Sequence, residues 1–317
     1  MVIGLMSTLI TQFTAPAVRH LTWCLLSPPL ASLNSVPALE IAEDNPLQDW
    51  LMKLNTNPSH LLEYIQKNNH KLLGSYFECL WQYYLLNGPN VSLYADHIQV
   101  NTQKQTLGEL DVLAEINHKP HHIELAVKFY LQSPNSTGSE QDHWVGPQSR
   151  DRLDIKIDKL MQKQFPFLHH EATVNHLIDL KLSHNYQQAL VLKGYLFNQY
   201  KMPYTLPEAC STGLCMGNWI HASQTQSLIK DNAAADQLWI LLPKHDWLGD
   251  FSTDINDTES NAIDSCTLEI LIHQHFYQND NPQKLFALMV ISIKIDDKRY
   301  VEDKRYFIVH DNWPKAL

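Results

Sequence analysis

The chain has little charge, few cysteines and no long hydrophobic run. Only 18% of its 317 residues are charged, and 24 Lys and Arg stand against 34 Asp and Glu, which gives a net charge of −10. Such an acidic balance excludes a generally cationic nucleic-acid binder, so any nucleic-acid contact must come from a local basic surface. The apolar share of 44% excludes wholesale disorder. No apolar stretch approaches the roughly 18 residues of a membrane span, and we expect none.

Several motifs of well-known enzyme and metal sites are also missing. The only close cysteine pair among five is Cys210 and Cys215, which makes a weak zinc site at best, and nothing in the spacing resembles a disulfide framework. There is no GxSxG nucleophile motif, and we expect no nucleotide cofactor. The N-terminus lacks a basic segment before its apolar stretch, so we interpret it as the start of the folded protein. These features favour a cytoplasmic protein with reduced thiols.

The hydrophobic period divides the chain into three segments. Residues 1–69 are helical and interrupted by prolines, 70–200 form a core, and 201–317 form a β-rich extension. Within the core the pattern predicts a helix, a three-stranded meander, a helix and a strand. The predicted ranges are 71–86, 91–100, 107–116, 123–131, 150–164 and 188–197; those of the extension are strands at 238–242, 267–274, 285–295 and 306–310, with a polar loop at 250–264.

Two carboxylates and a lysine are predicted to share one face of the meander. Asp111 and Glu124 lie in alternating strands on either side of a turn at 117–120. Antiparallel pairing puts both on one sheet face, and Lys128, four residues past Glu124, returns to that face. Two carboxylates beside a lysine can hold a divalent cation that activates water. The alternative is a solvated sheet face with a cross-strand ion pair, which needs no function.

A further acidic residue lies in the preceding helix. Glu78 is the odd polar residue of a segment that is apolar nearly all round. A buried carboxylate needs a partner, and a metal ion or Lys128 would supply one.

Together these residues resemble the PD-(D/E)xK nuclease superfamily. The segment Gly108-Glu109-Leu110-Asp111 is followed across a turn by Glu124 and Lys128 and preceded by the helical Glu78. The core of that superfamily has the element order given above, over residues 70–200. Five segments look more closely like an uncharacterised bacterial domain-of-unknown-function family placed in that superfamily: YFECLW, TLGELDVL, HIELAVKFYL, GPQSRDRLDIK and RYFIVHDNWP.

The resemblance implies an α/β fold with a restriction-endonuclease-like core and a metal-dependent nuclease site. In such enzymes an aspartate and a glutamate bind Mg²⁺ or Mn²⁺, which here makes Asp111 and Glu124 the ligands. Glu78 would assist them as a further acidic ligand. Lys128 would position or activate the attacking water. The sequence departs from the pattern at Ala126, where the superfamily has its lysine, so Lys128 lies roughly 7 Å further along the strand.

The helix predicted over 150–164 carries a basic stripe. Arg150, Arg152 and Lys156 are candidates for contacting phosphates, because the start of a helix adds partial positive charge. The alternative is a solvated helix flank, since aspartates on the same helix roughly cancel the charge.

We therefore predict a nuclease that hydrolyses phosphodiester bonds in DNA or RNA with Mg²⁺ or Mn²⁺. The alternative is a nuclease-derived module that no longer cleaves and instead binds nucleic acid or a protein partner. The displaced lysine and the acidic net charge favour that alternative. A structural or assembly protein is a third interpretation.

Overall fold

A mixed ten-stranded sheet runs through the computed structural model of this chain, in an α/β arrangement. The structure describes residues 10, 12–33, 35–68, 72–101, 105–134, 136, 139–210, 213–232, 237–258, 262–278, 287–296 and 299–315. No helix in these ranges is both long and apolar enough to cross a membrane.

The strands are β1 (Val91–Asn101), β2 (Thr106–Ile116), β3 (Lys119–Gln132), β4 (Trp144–Val145), β5 (Gln187–Gln199), β6 (Cys215–His221), β7 (Leu238–Leu241), β8 (Ser252–Asp254), β9 (Leu288–Asp296) and β10 (Arg299–Val309). The helices are α1 (Pro16–Leu26), α2 (Asn45–Thr56), α3 (Ser59–Asn68), α4 (Leu73–Asn87), α5 (Leu153–Lys159), α6 (Phe165–Phe167), α7 (Glu171–Asp179), α8 (Thr225–Asp231), α9 (Ile255–Thr258) and α10 (Ser265–Tyr277). A π-helical turn, Leu160–Gln164, joins α5 to α6.

The strand order is β1-β2-β3-β5-β6-β10-β9-β7, with β4 beside β3 and β8 beside β10. The strands β1, β2 and β3 are antiparallel neighbours, whereas β3, β5, β6 and β10 run parallel. The strands after residue 200 therefore continue the sheet that begins with the meander.

The meander is fixed by its tight turn. Asn117 and His118 both have positive φ, 49° and 62°, as a two-residue type I′ hairpin requires. This turn sets the register in which Val112 pairs with Ile123.

Helices cover both faces of the sheet. On one face, aromatic residues of α1 and α4, among them Trp23, Phe77 and Trp81, pack with Ile123 and Leu125 of β3. On the other face, apolar residues of α5 and the π-helical turn pack against β3 and β5: Leu153, Ile157, Leu160, Tyr130 and Leu190. The face covered by α5 carries the candidate site.

One strand prediction for the C-terminal region was wrong. The segment 267–274 is part of helix α10, in which Leu268, Ile272 and Phe276 are buried at helical spacing while Ile270 is 52% exposed. Asp264 caps this helix by accepting the Thr267 backbone N–H at 2.7 Å. The alternation of Leu268, Ile270 and Ile272 suited a strand equally well, because a short apolar run does not distinguish the two periods. The predicted polar loop at 250–264 likewise contains β8 and α9.

Candidate active site

Asp111 and Glu124 meet where β2 separates from β3. The paired register between these strands runs from Ile116–Lys119 to Val112–Ile123. One residue further, Asp111 Oδ2 accepts a hydrogen bond from the Leu125 backbone N–H at 3.0 Å. At this point the Asp111 side chain, rather than a backbone carbonyl of β2, accepts the hydrogen bond from β3. Because β4 pairs with β3 only at Leu131 and Gln132, a gap lies along β3 between the two neighbouring strands.

The Asp111 and Glu124 carboxyl groups interact directly, with Glu124 buried and Asp111 partly exposed. Glu124 is 1% exposed, and burial raises the pKa of Asp111 and of Glu124 to about 7, with the neighbouring charge of Glu124 adding to the rise for Asp111. Two carboxylates in contact away from water do not both ionise cheaply, so the pair holds a proton close to neutral pH. A cation that replaced this proton would stabilise both charges.

Lys156 of α5 is linked to this pair through Gln164. Its Nζ donates a hydrogen bond to Gln164 Oε1 at 3.1 Å, and Gln164 Nε2 donates to Glu124 Oε2. Burial lowers the pKa of the Lys156 amine, while the charge of Glu124 acts in the opposite direction. The four residues Asp111, Glu124, Lys156 and Gln164, which we call the acidic site, form a chain of contacts.

The π-helical turn explains how Gln164 reaches Glu124. In a regular helix the residues that share a face are spaced by about 3.6, so residue i+7 lies over residue i. A π turn adds one residue, which brings Gln164, eight residues after Lys156, onto the same face. Pro166 gives the turn a cause, since it has no N–H for the carbonyl of Gln162 and its ring crowds that carbonyl.

Glu78 lies within electrostatic range of the acidic site and forms no three-ligand cluster with it. Burial raises the pKa of Glu78, and the charge of Asp111 contributes to the rise. In the described ranges, no three His, Cys, Asp or Glu side chains are arranged to hold a metal ion. Glu78, predicted as a metal ligand, is therefore coupled to Asp111 only through its charge and does not complete such a group.

Lys128, predicted as the catalytic lysine, is bound to a different carboxylate. Its Nζ donates to Asp151 Oδ2 at 2.6 Å, and Tyr130 Oη donates to the same oxygen at 3.3 Å. The partner of Lys128 is thus Asp151, in the loop before α5. The sequence analysis had instead paired Lys128 with Glu78 or placed it at the metal site.

The predicted phosphate contacts are divided between different environments. Arg152 forms a bidentate ion pair with Asp154, at 2.9 and 2.7 Å, so its guanidinium is already neutralised. Arg150 is exposed in the loop before α5. Lys156, predicted to contact phosphates, lies in the acidic site instead.

His122 is a buried neighbour of Glu124 that the sequence analysis did not single out. Its Nε2 lies 3.2 Å from Glu124 Oε1, but the geometry is not that of a hydrogen bond, and both atoms lack a hydrogen-bond partner in the described structure. Burial lowers the pKa of His122 to about 4, so the imidazole is neutral at physiological pH. Glu124 Oε1 therefore keeps an unused acceptor position.

The donor atoms suit a hard divalent cation that keeps part of its water shell. Mg²⁺ is commonly held by one or two carboxylates together with water and substrate phosphates, and Asp111 and Glu124 supply two. The unpaired Glu124 Oε1 is an oxygen ligand of the required kind. Asp111 is only partly buried, so the pair is not sealed from solvent.

Sequence reasoning missed Gln164 and gave Lys156 another role. Gln164 was missed because the helix was read at one period, which places Gln164 on a different face from Lys156. The signal that was present is Pro166, which marks a disturbed turn just upstream.

Comparison with known proteins adds a family. No curated protein and no solved structure matches the chain. A family model described as "Domain of unknown function (DUF1853)" matches residues 19–309, a range that contains the acidic site, Glu78 and Lys128. The chain therefore belongs to the DUF1853 family.

Proposed function

We propose that this protein is a metal-dependent nuclease with a restriction-endonuclease-like core formed by α4, β1, β2, β3, α5 and β5. The observation that carries the proposal is the adjacent carboxyl pair Asp111–Glu124, in which Glu124 is buried and is linked to the amine of Lys156 through Gln164. An antiparallel meander followed by a helix and a parallel strand is the element order of that core, and it supports the same conclusion.

The side chains of the acidic site have distinct tasks in this proposal. Asp111 and Glu124 hold Mg²⁺ or Mn²⁺, which when bound supplies Lewis-acid stabilisation of a phosphodiester and an activated water. The Leu125 N–H and the Gln164 amide fix the orientation of the two carboxylates. Lys156 orients the attacking water and stabilises the negative charge that develops on the phosphate. DNA and RNA both present the phosphodiester that this chemistry requires.

A nuclease-like module that binds without cleaving is the second candidate. The specific observation in its favour is that Lys128, the lysine on the strand of Glu124, is occupied by Asp151. Such a module would bind nucleic acid or a protein partner without a metal.

The decisive experiment compares Asp111→Asn with the wild-type protein in Mn²⁺, on mixed DNA and RNA substrates. Asp158→Asn is the matched control, because Asp158 is exposed on α5. We expect Asp111→Asn to lower cleavage by at least about 100-fold, as is typical when a group essential to the chemistry is lost. Calorimetric Mn²⁺ binding should be lost in the same variant.

Two results would contradict the nuclease. One is the absence of cleavage by the wild-type protein, and the other is equal cleavage by Asp111→Asn and Asp158→Asn. Metal-free binding of nucleic acid without any cleavage would support the module instead.

A further inference from the structure

A cavity of about 240 Å³ opens further along the same strand as the acidic site. The charged residues of its lining are Lys128 of β3, Arg150 and Asp151 in the loop before α5, and Lys244. Phe129 and Trp247 are among the apolar residues of its wall. We call Lys128, Arg150, Asp151 and Lys244 the basic pocket.

The basic pocket has an excess of positive charge at a fixed position. Three cationic side chains face one carboxylate, so the lining carries a formal charge of 3 − 1 = +2. The loop that presents Arg150 is held by two backbone hydrogen bonds of 2.8 Å, from the Gly146 N–H to the Asp151 carbonyl and from the Ser149 N–H to the Gly146 carbonyl. A positive pocket with fixed walls in an acidic protein is a site for an anion.

Lys128 of the basic pocket and Glu124 of the acidic site point to the same face of β3, and the pocket extends around the strand to Phe129, which packs on the opposite face. Lys128 follows Glu124 by four residues, which is about 13 Å at the rise of a strand. The pKa of Lys156 responds to the charges of both Glu124 and Lys128. A single extended ligand that is anionic at intervals can therefore reach both sites.

We propose that the basic pocket binds a phosphate group of the substrate strand, a few nucleotides from the phosphodiester at the acidic site. This inference rests on the proposed nuclease function. The volume is below the roughly 300–1,000 Å³ of ordinary small-molecule sites, so the pocket accepts one phosphate with its sugar and excludes a bulky cofactor. Phe129 and Trp247 offer apolar surface to the sugar or base.

The test measures binding of a labelled single-stranded oligonucleotide by fluorescence anisotropy, with EDTA present so that cleavage does not occur. We expect Arg150→Gln to weaken binding about tenfold and to reduce the slope of log affinity against log salt by about one. Lys163→Gln is the matched control, because Lys163 is exposed on the π-helical turn outside the pocket. It should change affinity less than about twofold.

Asp151→Asn should change affinity in the opposite direction. Removing the single negative charge of the pocket keeps an acceptor for Lys128 and Tyr130 and raises the formal charge to +3, so the oligonucleotide should bind more tightly. A merely structural role of Asp151 would predict weaker binding. The displacement of the oligonucleotide by inorganic phosphate is compared with its displacement by chloride at equal ionic strength. Displacement by phosphate alone means that a lone phosphate fills the pocket. Displacement by neither salt assigns the site to a phosphate carried by a nucleic-acid strand.

The proposal is overturned if Arg150→Gln and Lys163→Gln bind alike, if Asp151→Asn weakens binding, or if the wild-type protein does not bind the oligonucleotide at low salt. These outcomes are separate from failure of the nuclease. Mn²⁺-dependent cleavage that is lost in Asp111→Asn stands even when the pocket variants bind normally, and oligonucleotide binding through Arg150 stands even when no cleavage occurs.

Discussion

The acidic site and the basic pocket occupy two positions on β3 and treat charge in opposite ways. At the acidic site, Asp111 lies against the buried Glu124, and burial raises the pKa of both carboxyl groups to about 7. In the basic pocket, Lys128 already has a counter-ion, since its amine lies 2.6 Å from Asp151. The first position brings two carboxyl groups together, whereas the second pairs a lysine with a carboxylate.

The two positions also differ in solvent exposure, which determines how much a charge costs at each of them. Lys128 and Asp151 are 33% and 30% exposed in their side chains, and such partly hydrated pairs contribute about 1 kcal/mol or less. Glu124 is 1% exposed, where an unbalanced charge is far more costly. A cation therefore gains most at the acidic site, while the basic pocket serves to attract and position a mobile anion.

The largest effect is expected from replacing each of the two lysines, Lys156 and Lys128, with glutamine. Lys156→Gln should lower kcat by about 100-fold, because its amine is linked to Glu124 through Gln164 and, in the proposed mechanism, acts on the reacting phosphate. Mn²⁺ binding measured by calorimetry should be largely retained. Lys128→Gln should instead raise KM by about five- to tenfold through lost phosphate binding.

The split between kcat and KM is the readout that distinguishes the two positions. If Lys128→Gln removes kcat and Lys156→Gln does not, the catalytic lysine is on the strand, as the sequence interpretation had it. Lys163→Gln controls for the general loss of one positive charge.

A smaller effect is expected from pH on metal binding. Because burial raises the pKa of both carboxyl groups to about 7, a divalent cation must displace a proton below that pH. Mn²⁺ affinity should therefore rise about tenfold from about pH 6 to about pH 8, with proton uptake by the buffer. Calorimetry in two buffers of different ionisation enthalpy measures the proton directly. Affinity that is flat across this range would place Mn²⁺ elsewhere.

The sequence predicted the features of the two sites that depend on neighbouring strands, and it missed the contacts that depend on more distant elements. The meander, its turn and the proximity of Asp111 to Glu124 follow from period-two alternation and a short hairpin, which are local. The partner of Lys128 does not, because Asp151 comes from a loop 23 residues away. The sequence correctly predicted the face of β3 on which Lys128 lies, but it did not identify the counter-ion of Lys128.

The arrangement around Lys156 required knowledge of a local irregularity. A regular helix period puts Lys156 among the phosphate-facing residues, whereas the π-helical turn aligns it with Gln164 and Glu124. The strand prediction at 267–274 was wrong for a different reason. There the sequence pattern fitted both the strand period and the helix period, and the burial of Phe276, one helical turn further, identifies the helix.

The smallest effect concerns stability, and it tests whether the acidic site lacks a cation. A carboxyl whose pKa is raised on folding binds its proton more tightly in the native state, so stability falls as pH rises from about 4 to about 7. Glu124→Gln removes this penalty and lets an amide replace the shared proton to Asp111. In EDTA, urea unfolding should show Glu124→Gln to be more stable than wild type by about 1 kcal/mol near pH 8, and nearly equal near pH 5, where Glu124 is protonated. Asp158→Asn should show no such pH-dependent difference. A Gln variant less stable than wild type near pH 8 would mean that Lys156 already neutralises Glu124, which would leave no electrostatic need for the metal.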